Sequence, residues 1–200
     1  MRRLTLRGRR TGMEPIHDGG SGSMNEVELA HLAWSIVDRQ ATAVLEVGTG
    51  RGASTTVLNE AVSGRVVTLD VNHATVQHYI GDDFRDKLGK TTFIQADSHS
   101  FAAIELVARY GPYDTLLIDG DHYYPGVNQD YLNFAPLLAP GGVCFIHDIE
   151  WGDVRVFWER GLPLRRPLPG HLHPPVLHKL GPNLGVVLFP TPPNGRLDVS

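Results

Sequence analysis

The 200-residue chain is 42% hydrophobic and 20% charged, enough apolar content for one globular domain with a full core. A formal charge of −4 supplies no electrostatic case for nucleic acid or a membrane surface as the main partner, and no apolar run is long enough to cross a bilayer. The single cysteine, Cys144, lies in an apolar stretch, which excludes a disulfide within the chain and makes a core residue of a cytoplasmic protein the expectation.

In chain order, Arg2, Arg3, Arg7, Arg9 and Arg10 crowd the start and Gly19-Gly20-Ser21-Gly22-Ser23 closes the segment, which reads as a disordered basic tail over 1–23. It lacks the apolar region of an export signal. Residues 24–200 are then a single domain. Ser23 and Glu26 have the spacing of a capping box, and Leu29, Leu32, Ala33, Ile36 and Val37 follow at helical period, predicting an amphipathic helix. Strands are expected near 43–47, 65–70, 91–95, 115–118, 142–146, 176–180 and 184–189, and helices near 52–62, 72–79, 98–109, 126–138 and 153–160. Such alternation argues for a parallel sheet covered on both faces. Gly181-Pro182-Asn183 is too short for a helical crossover, so the last two strands should form an antiparallel hairpin. The expected fold class is α/β: a Rossmann-like, doubly wound, seven-stranded sheet, mostly parallel, with an antiparallel C-terminal hairpin strand.

The chemistry concentrates where strands end. Val44-Leu45-Glu46-Val47 runs into Gly48-Thr49-Gly50-Arg51-Gly52, a turn whose glycines let a ligand lie against bare main chain. With Ala53 it satisfies the loose dinucleotide pattern. Glu46, however, would repel a pyrophosphate, whereas a cofactor carrying a sulfonium and an ammonium group and no phosphate, S-adenosylmethionine, suits an acid there. A second strand, Val66 to Leu69, ends in Asp70, placed to accept hydrogen bonds from a ribose. Asp97, Asp119 and Asp148 each follow a further apolar run, so the fold gathers five carboxylates on one rim. Asp97-Ser98 also reads as a cap for the helix near 98.

From Glu46-x-Gly48-x-Gly50 through Asp70, Asp97 and Leu138-x-Pro140-Gly141-Gly142, the chain resembles the class I S-adenosylmethionine-dependent methyltransferases over roughly residues 25–190. Leu117-Ile118-Asp119-Gly120-Asp121-His122 with Ile146-His147-Asp148 is similar, more narrowly, to the subgroup of macrocin-type O-methyltransferases and proteins labelled cephalosporin hydroxylase. The resemblance implies a cofactor site at Glu46, Gly48, Thr49, Gly50, Asp70, Val71, Asp97, Ser98 and Asp119, with Asp97 near the adenine. It also implies a catalytic pair, His122 and Asp119, with His122 as general base: an imidazole of ordinary pKa near ~6.5 takes up a proton at neutral pH. In the subgroup the corresponding acids hold a divalent metal, here Asp119, His147 and Asp148, as Mg²⁺ or Mn²⁺. The chain departs from that pattern at His147, where the subgroup has Glu. The expected substrate is a small molecule with a hydroxyl, such as a sugar, phenol or catechol, and a homo-oligomer is a possible completion of the pocket.

Other readings use the same residues. His122, His147 and Asp148 would make a two-histidine, one-carboxylate iron site of an oxygenase, which leaves the glycine loop and Asp70 without a purpose. A non-catalytic partner subunit would keep the fold alone, and an NAD dehydrogenase conflicts with Glu46 and the hairpin. Tyr123, Tyr124 and Trp151 flank the site loops and are candidates for stacking on an acceptor, while Phe157 and Trp158 read as core. The segment 162–175, with five prolines, reads as a surface loop or substrate lid. His171, His173 and His178 lack the partners of a zinc site.

Overall fold

The computed structural model describes residues 24–161, 163–168 and 174–189; the basic tail and His171 and His173 lie outside the described residues. Seven strands form one sheet: β1 (Ala43–Val47), β2 (Arg65–Asp70), β3 (Thr91–Gln95), β4 (Tyr113–Ile118), β5 (Leu138–His147), β6 (Val176–Lys179) and β7 (Leu184–Leu188). Their order is β3-β2-β1-β4-β5-β7-β6, with β1 to β5 parallel and β7 antiparallel to both β5 and β6. The final hairpin is therefore present. Strand order reverses between β1 and β4, which opens a crevice beyond their carboxyl ends.

The helices are α1 (Glu26–Asp38), α2 (Ala53–Ala61), α3 (Ala74–Ile80), α4 (Phe84–Lys87), α5 (Phe101–Ala108), α6 (Tyr124–Phe134) and α7 (Gly152–Arg160). Side chains alternate along each strand, and this parity decides which helices each residue meets. Leu45, Val47, Leu116, Ile118, Cys144 and Ile146 share a core with Val107 of α5, Val127, Tyr131 and Phe134 of α6, and Phe157 of α7. Val44, Val66, Leu117, Val143 and Phe145 share the opposite core with Leu32 and Ile36 of α1 and Leu58 of α2. Cys144 is fully buried in the first of these cores, to which Phe157 and Trp158 also belong.

Three boundaries differ from expectation. The capping box of α1 is Asn25 with Glu28: Asn25 Oδ1 accepts from the Val27 and Glu28 amides at 2.9 and 3.1 Å, and Glu28 Oε2 accepts from the Asn25 amide at 2.9 Å. The helix near 98 starts at 101, capped by Ser100, whose hydroxyl accepts from the Ala103 amide. The helix expected over 126–138 ends at Phe134. A 3₁₀ turn over Ala135–Leu137 follows, and β5 already begins at Leu138, opposite Tyr113. The Pro140-Gly141 kink, with Gly141 at φ +81°, is thus an irregularity inside the strand and not a turn before it.

Candidate active site

The carboxyl ends of β1 to β4, with the start of α7, surround a cavity of about 1010 Å³. Its walls include residues 48–54, 69–71, 96–99, 119–123 and 151–153. Gly48, Thr49, Gly50, Asp70, Val71, Asp97, Ser98 and Asp119 all line it, so most of the expected cofactor residues meet in one place.

The glycine loop is held by its surroundings. Gly48 has φ +96°, and a Cβ there would stand 2.1 Å from the Asp119 carbonyl oxygen. The first and fourth strand ends touch at this point, and only a missing side chain allows it. Asp70 braces the loop from β2, Oδ2 accepting from the Thr49 and Gly50 amides at 2.8 and 3.0 Å and Oδ1 from the Asn72 amide at 2.9 Å. A carboxylate has about four acceptor directions, so one remains toward the cavity.

Glu46 does not line the cavity. By strand parity it points with Val44 toward α2, where it is fully buried. Ser54 donates to Oε1 at 2.6 Å, and Thr55 and Thr68 donate to Oε2 at 2.6 and 2.7 Å. Since the Thr68 proton goes to Glu46, the Thr49 hydroxyl donates to Thr68 across 2.7 Å. Glu46 therefore fixes the glycine loop from behind. Burial pushes its carboxyl up to about 7, against the three hydroxyls that favour the charged form. A folded-state pKa above the ordinary 4.5 means that stability is fully present below about pH 4.5 and is lost as pH rises through about 7. Glu46→Gln removes that titration. Denaturant unfolding at about pH 5 and about pH 8 should show the stability gap moving in the variant's favour at the higher pH, and a constant gap would contradict the burial argument.

At the other end of the cavity Asp119, His122 and Asp148 offer ligand atoms that all lie within 4.8 Å of one another. His122 Nε2 is 2.9 Å from Asp148 Oδ2 and 3.8 Å from Asp119 Oδ1. Both the His122 Nε2 and Asp148 Oδ2 atoms are buried, and neither has a well-directed hydrogen bond among the described residues. Two carboxylate oxygens converging beside an imidazole nitrogen match the donors of a divalent-ion site. Asp148 follows β5 with φ +58°, a turn that swings its carboxylate back over the rim, where Asn183 of the hairpin donates to Oδ1. The facing carboxylates of Asp119 and Asp148 raise the His122 pKa to about 9. As long as those carboxylates face it alone, the ring is protonated at neutral pH and is not yet a base, a correction to the ordinary value expected from sequence.

His147 departs from the metal reading. It shares the parity of Val143 and Phe145, so it points toward α1, and it is 2% exposed. Its Nε2 is 3.3 Å from Glu28 Oε2 and its Nδ1 is 3.0 Å from Asp119 Oδ1. With a carboxylate at each nitrogen it acts as a brace behind Asp119. Burial lowers its pKa, but the bonds to Asp119 and Asp148 prevail and hold it up at about 11. The ring is absent from the cavity wall and from the convergent triad, so His122, His147 and Asp148 do not present three free ligands as the oxygenase reading requires.

Trp151 packs edge-on against His122 with centroids 5.3 Å apart, and both it and the exposed Tyr123 line the cavity. Tyr124 turns instead to Phe157 and the core. His178 is exposed on β6, away from the cavity-lining residues. Sequence reasoning missed Glu28, Asn183, His99 and the buried Asp130. Strand parity at His147 was the available signal for Glu28.

The sheet order with its antiparallel β7, the glycine loop at the reversal point and the acid at the end of β2 define an α/β methyltransferase fold. The chain belongs to the methyltransferase family whose model, described as a methyltransferase domain, matches residues 45–149. No curated protein sequence matches it significantly. Among solved structures, an O-methyltransferase from Bacillus cereus in complex with SAH is 19% identical at a TM-score of 0.64, covering 84% of this chain and 83% of that one. TomG, an O-methyltransferase from Streptomyces achromogenes involved in tomaymycin synthesis and solved with SAM, is 15% identical at 0.61, covering 86% and 83%. MycE from the mycinamycin biosynthetic pathway, solved with Mg and SAH, is 21% identical at 0.59; the match covers 85% of this chain but 50% of MycE. At these identities the likeness is one of fold. Among the described residues no helix is long and apolar enough to cross a membrane.

Proposed function

We propose that this methyltransferase transfers the methyl group of S-adenosylmethionine to a hydroxyl of a small molecule, a sugar or a phenol or catechol, with help from a divalent ion. The observation that carries the reading is the placement of the Asp119, His122 and Asp148 cluster at one end of the cavity whose other walls are the glycine loop and Asp70. The solved neighbours with SAM, SAH or Mg support it by analogy of fold.

In this reading Gly48 to Gly50 lie along the cofactor, Asp70 takes a ribose hydroxyl, and Asp97 and Ser98 border the adenine. Asp119 and Asp148 would hold Mg²⁺ or Mn²⁺, which would polarise the acceptor hydroxyl and lower the cost of its ionisation, while His122 beside them stays uncoordinated. Tyr123 and Trp151 wall the acceptor side. The residues contribute mainly by aligning the oxygen with the methyl carbon. His122 takes up the hydroxyl proton once Asp119 and Asp148 are neutralised, since their charge is what keeps its ring protonated. His147 and Glu28 keep Asp119 aimed at the site.

Asp148→Asn tests the ion site directly. Mn²⁺ titration followed by electron paramagnetic resonance should give at least about tenfold weaker binding for the variant, the scale of losing a charged ligand. Equal Mn²⁺ affinity in variant and wild type would remove Asp148 from the site.

A further inference from the structure

The cavity wall beside the ion cluster carries one sign of charge. Residues 119–123 and 151–153 line that end, and they include Asp119, Asp121 and Asp153 but no Lys or Arg. Among these lining residues His122 is the one group that can be positive, and Asp119 and Asp148 already face it. Arg51, in the glycine loop, lies over the Tyr79 ring of α3, 4.9 Å from its centroid. Of the other acids in the wall, Asp70 holds the glycine loop and Asp97 Oδ1 accepts from the His99 amide at 2.9 Å. Asp121 and Asp153 serve neither the ion cluster nor the glycine loop.

Both of them seat the start of α6, each with one oxygen. Asp121 Oδ1 accepts from the Tyr123 amide at 2.9 Å, and Asp153 Oδ2 accepts from the Tyr124 amide at 3.1 Å. The second oxygen of Asp121 is packed against Gly126, where a side chain would collide with it. Asp153 is exposed and lines the cavity, so its Oδ1 is left to accept from a ligand. The same two loops present aromatic rings to the cavity: Tyr123 is 74% exposed and Trp151 53%.

We infer that the methyl acceptor carries a protonated amine near its reacting hydroxyl, held by Asp153, with Asp121 behind it, and by the rings of Tyr123 and Trp151. An ammonium is drawn both to a carboxylate and to an aromatic face, whereas a neutral group gains only contact area. A carboxylate or phosphate in the same place would meet two acids and no Lys or Arg. A divalent ion between Asp119 and Asp148 is balanced by those two, which leaves Asp121 and Asp153 to set the sign of the wall. The inference rests on the methyl-transfer reading above and adds the charge class of its acceptor.

Calorimetry of the full chain, saturated with S-adenosylhomocysteine in Mg²⁺, tests it with three catechols that differ only in the charge of one tail: dopamine, ethylcatechol and dihydrocaffeate. Wild type should bind dopamine about tenfold more tightly than ethylcatechol, and dihydrocaffeate most weakly, with the dopamine preference shrinking as salt is raised. Asp153→Asn keeps an acceptor for the Tyr124 amide and should bring the three within about threefold of one another. Trp151→Leu should weaken dopamine more than ethylcatechol. Equal affinities in wild type, a preference for dihydrocaffeate, binding of none of the three, or a dopamine preference that survives in Asp153→Asn overturns the amine assignment. In each of those cases bound S-adenosylhomocysteine leaves the cofactor reading standing, whereas a chain that binds no S-adenosylhomocysteine overturns that reading and the inference with it.

Discussion

His122→Ala is expected to lower turnover by about 10²–10⁴-fold, the contribution of a positioned acid–base group, while S-adenosylhomocysteine affinity stays within about twofold of wild type. The reason is geometric. The ring lies against Asp148, 2.9 Å away, and against Trp151, and the amides of the glycine loop are held by Asp70 without it. Stopped turnover with unaltered cofactor affinity separates this role from a structural one. Wild-type turnover by His122→Ala removes its assignment as base, and a parallel loss of cofactor binding makes it part of the cofactor wall.

The second large effect is at Gly48. Gly48→Ala demands a left-handed backbone from a residue with a Cβ and drives that atom to 2.1 Å from the Asp119 carbonyl oxygen. Strain and clash together should cost about 2–5 kcal/mol. Because the obstacle is backbone, relief requires the β1 and β4 ends to separate, which moves Asp119 and the 120–122 loop away from the glycine turn. A fall in the thermal midpoint should therefore accompany loss of cofactor binding and of turnover. Unchanged midpoint and affinity would mean that the two loops do not approach as closely as described. Gly50, with nothing within 4 Å of its Cβ position, carries only the backbone strain and should be milder.

These two residues also mark how much of the molecule the sequence discloses. The strands were readable because each is a β-branched or aliphatic run bounded by polar turns, and the hairpin because three residues cannot hold a crossover. Gly48, Asp70 and Asp119 were readable because each sits at a fixed place relative to a strand end, where the sheet topology gathers them. The four-residue α4 was not, since one turn has no period to detect. Nor was the partner of His147: Glu28 lies 119 residues away, and only the alternation along β5 says which helix the ring must meet. Asn183 reads as a mere turn residue in the sequence, although the hairpin carries it back to Asp148. Glu46 was assigned to the cofactor from its charge, and its side chain in fact faces the hydroxyls of α2 and β2, because parity outranks motif position.

The central claim is tested most directly by calorimetric titration of the purified protein with S-adenosylhomocysteine, in chelator and with added Mg²⁺ or Mn²⁺. Micromolar binding is expected in both conditions, because the glycine loop and Asp70 are separate from the ion cluster, with an additional Mn²⁺ isotherm that Asp148→Asn weakens. Absence of S-adenosylhomocysteine binding with and without metal would contradict the account, leaving a methyltransferase fold whose cavity serves another ligand.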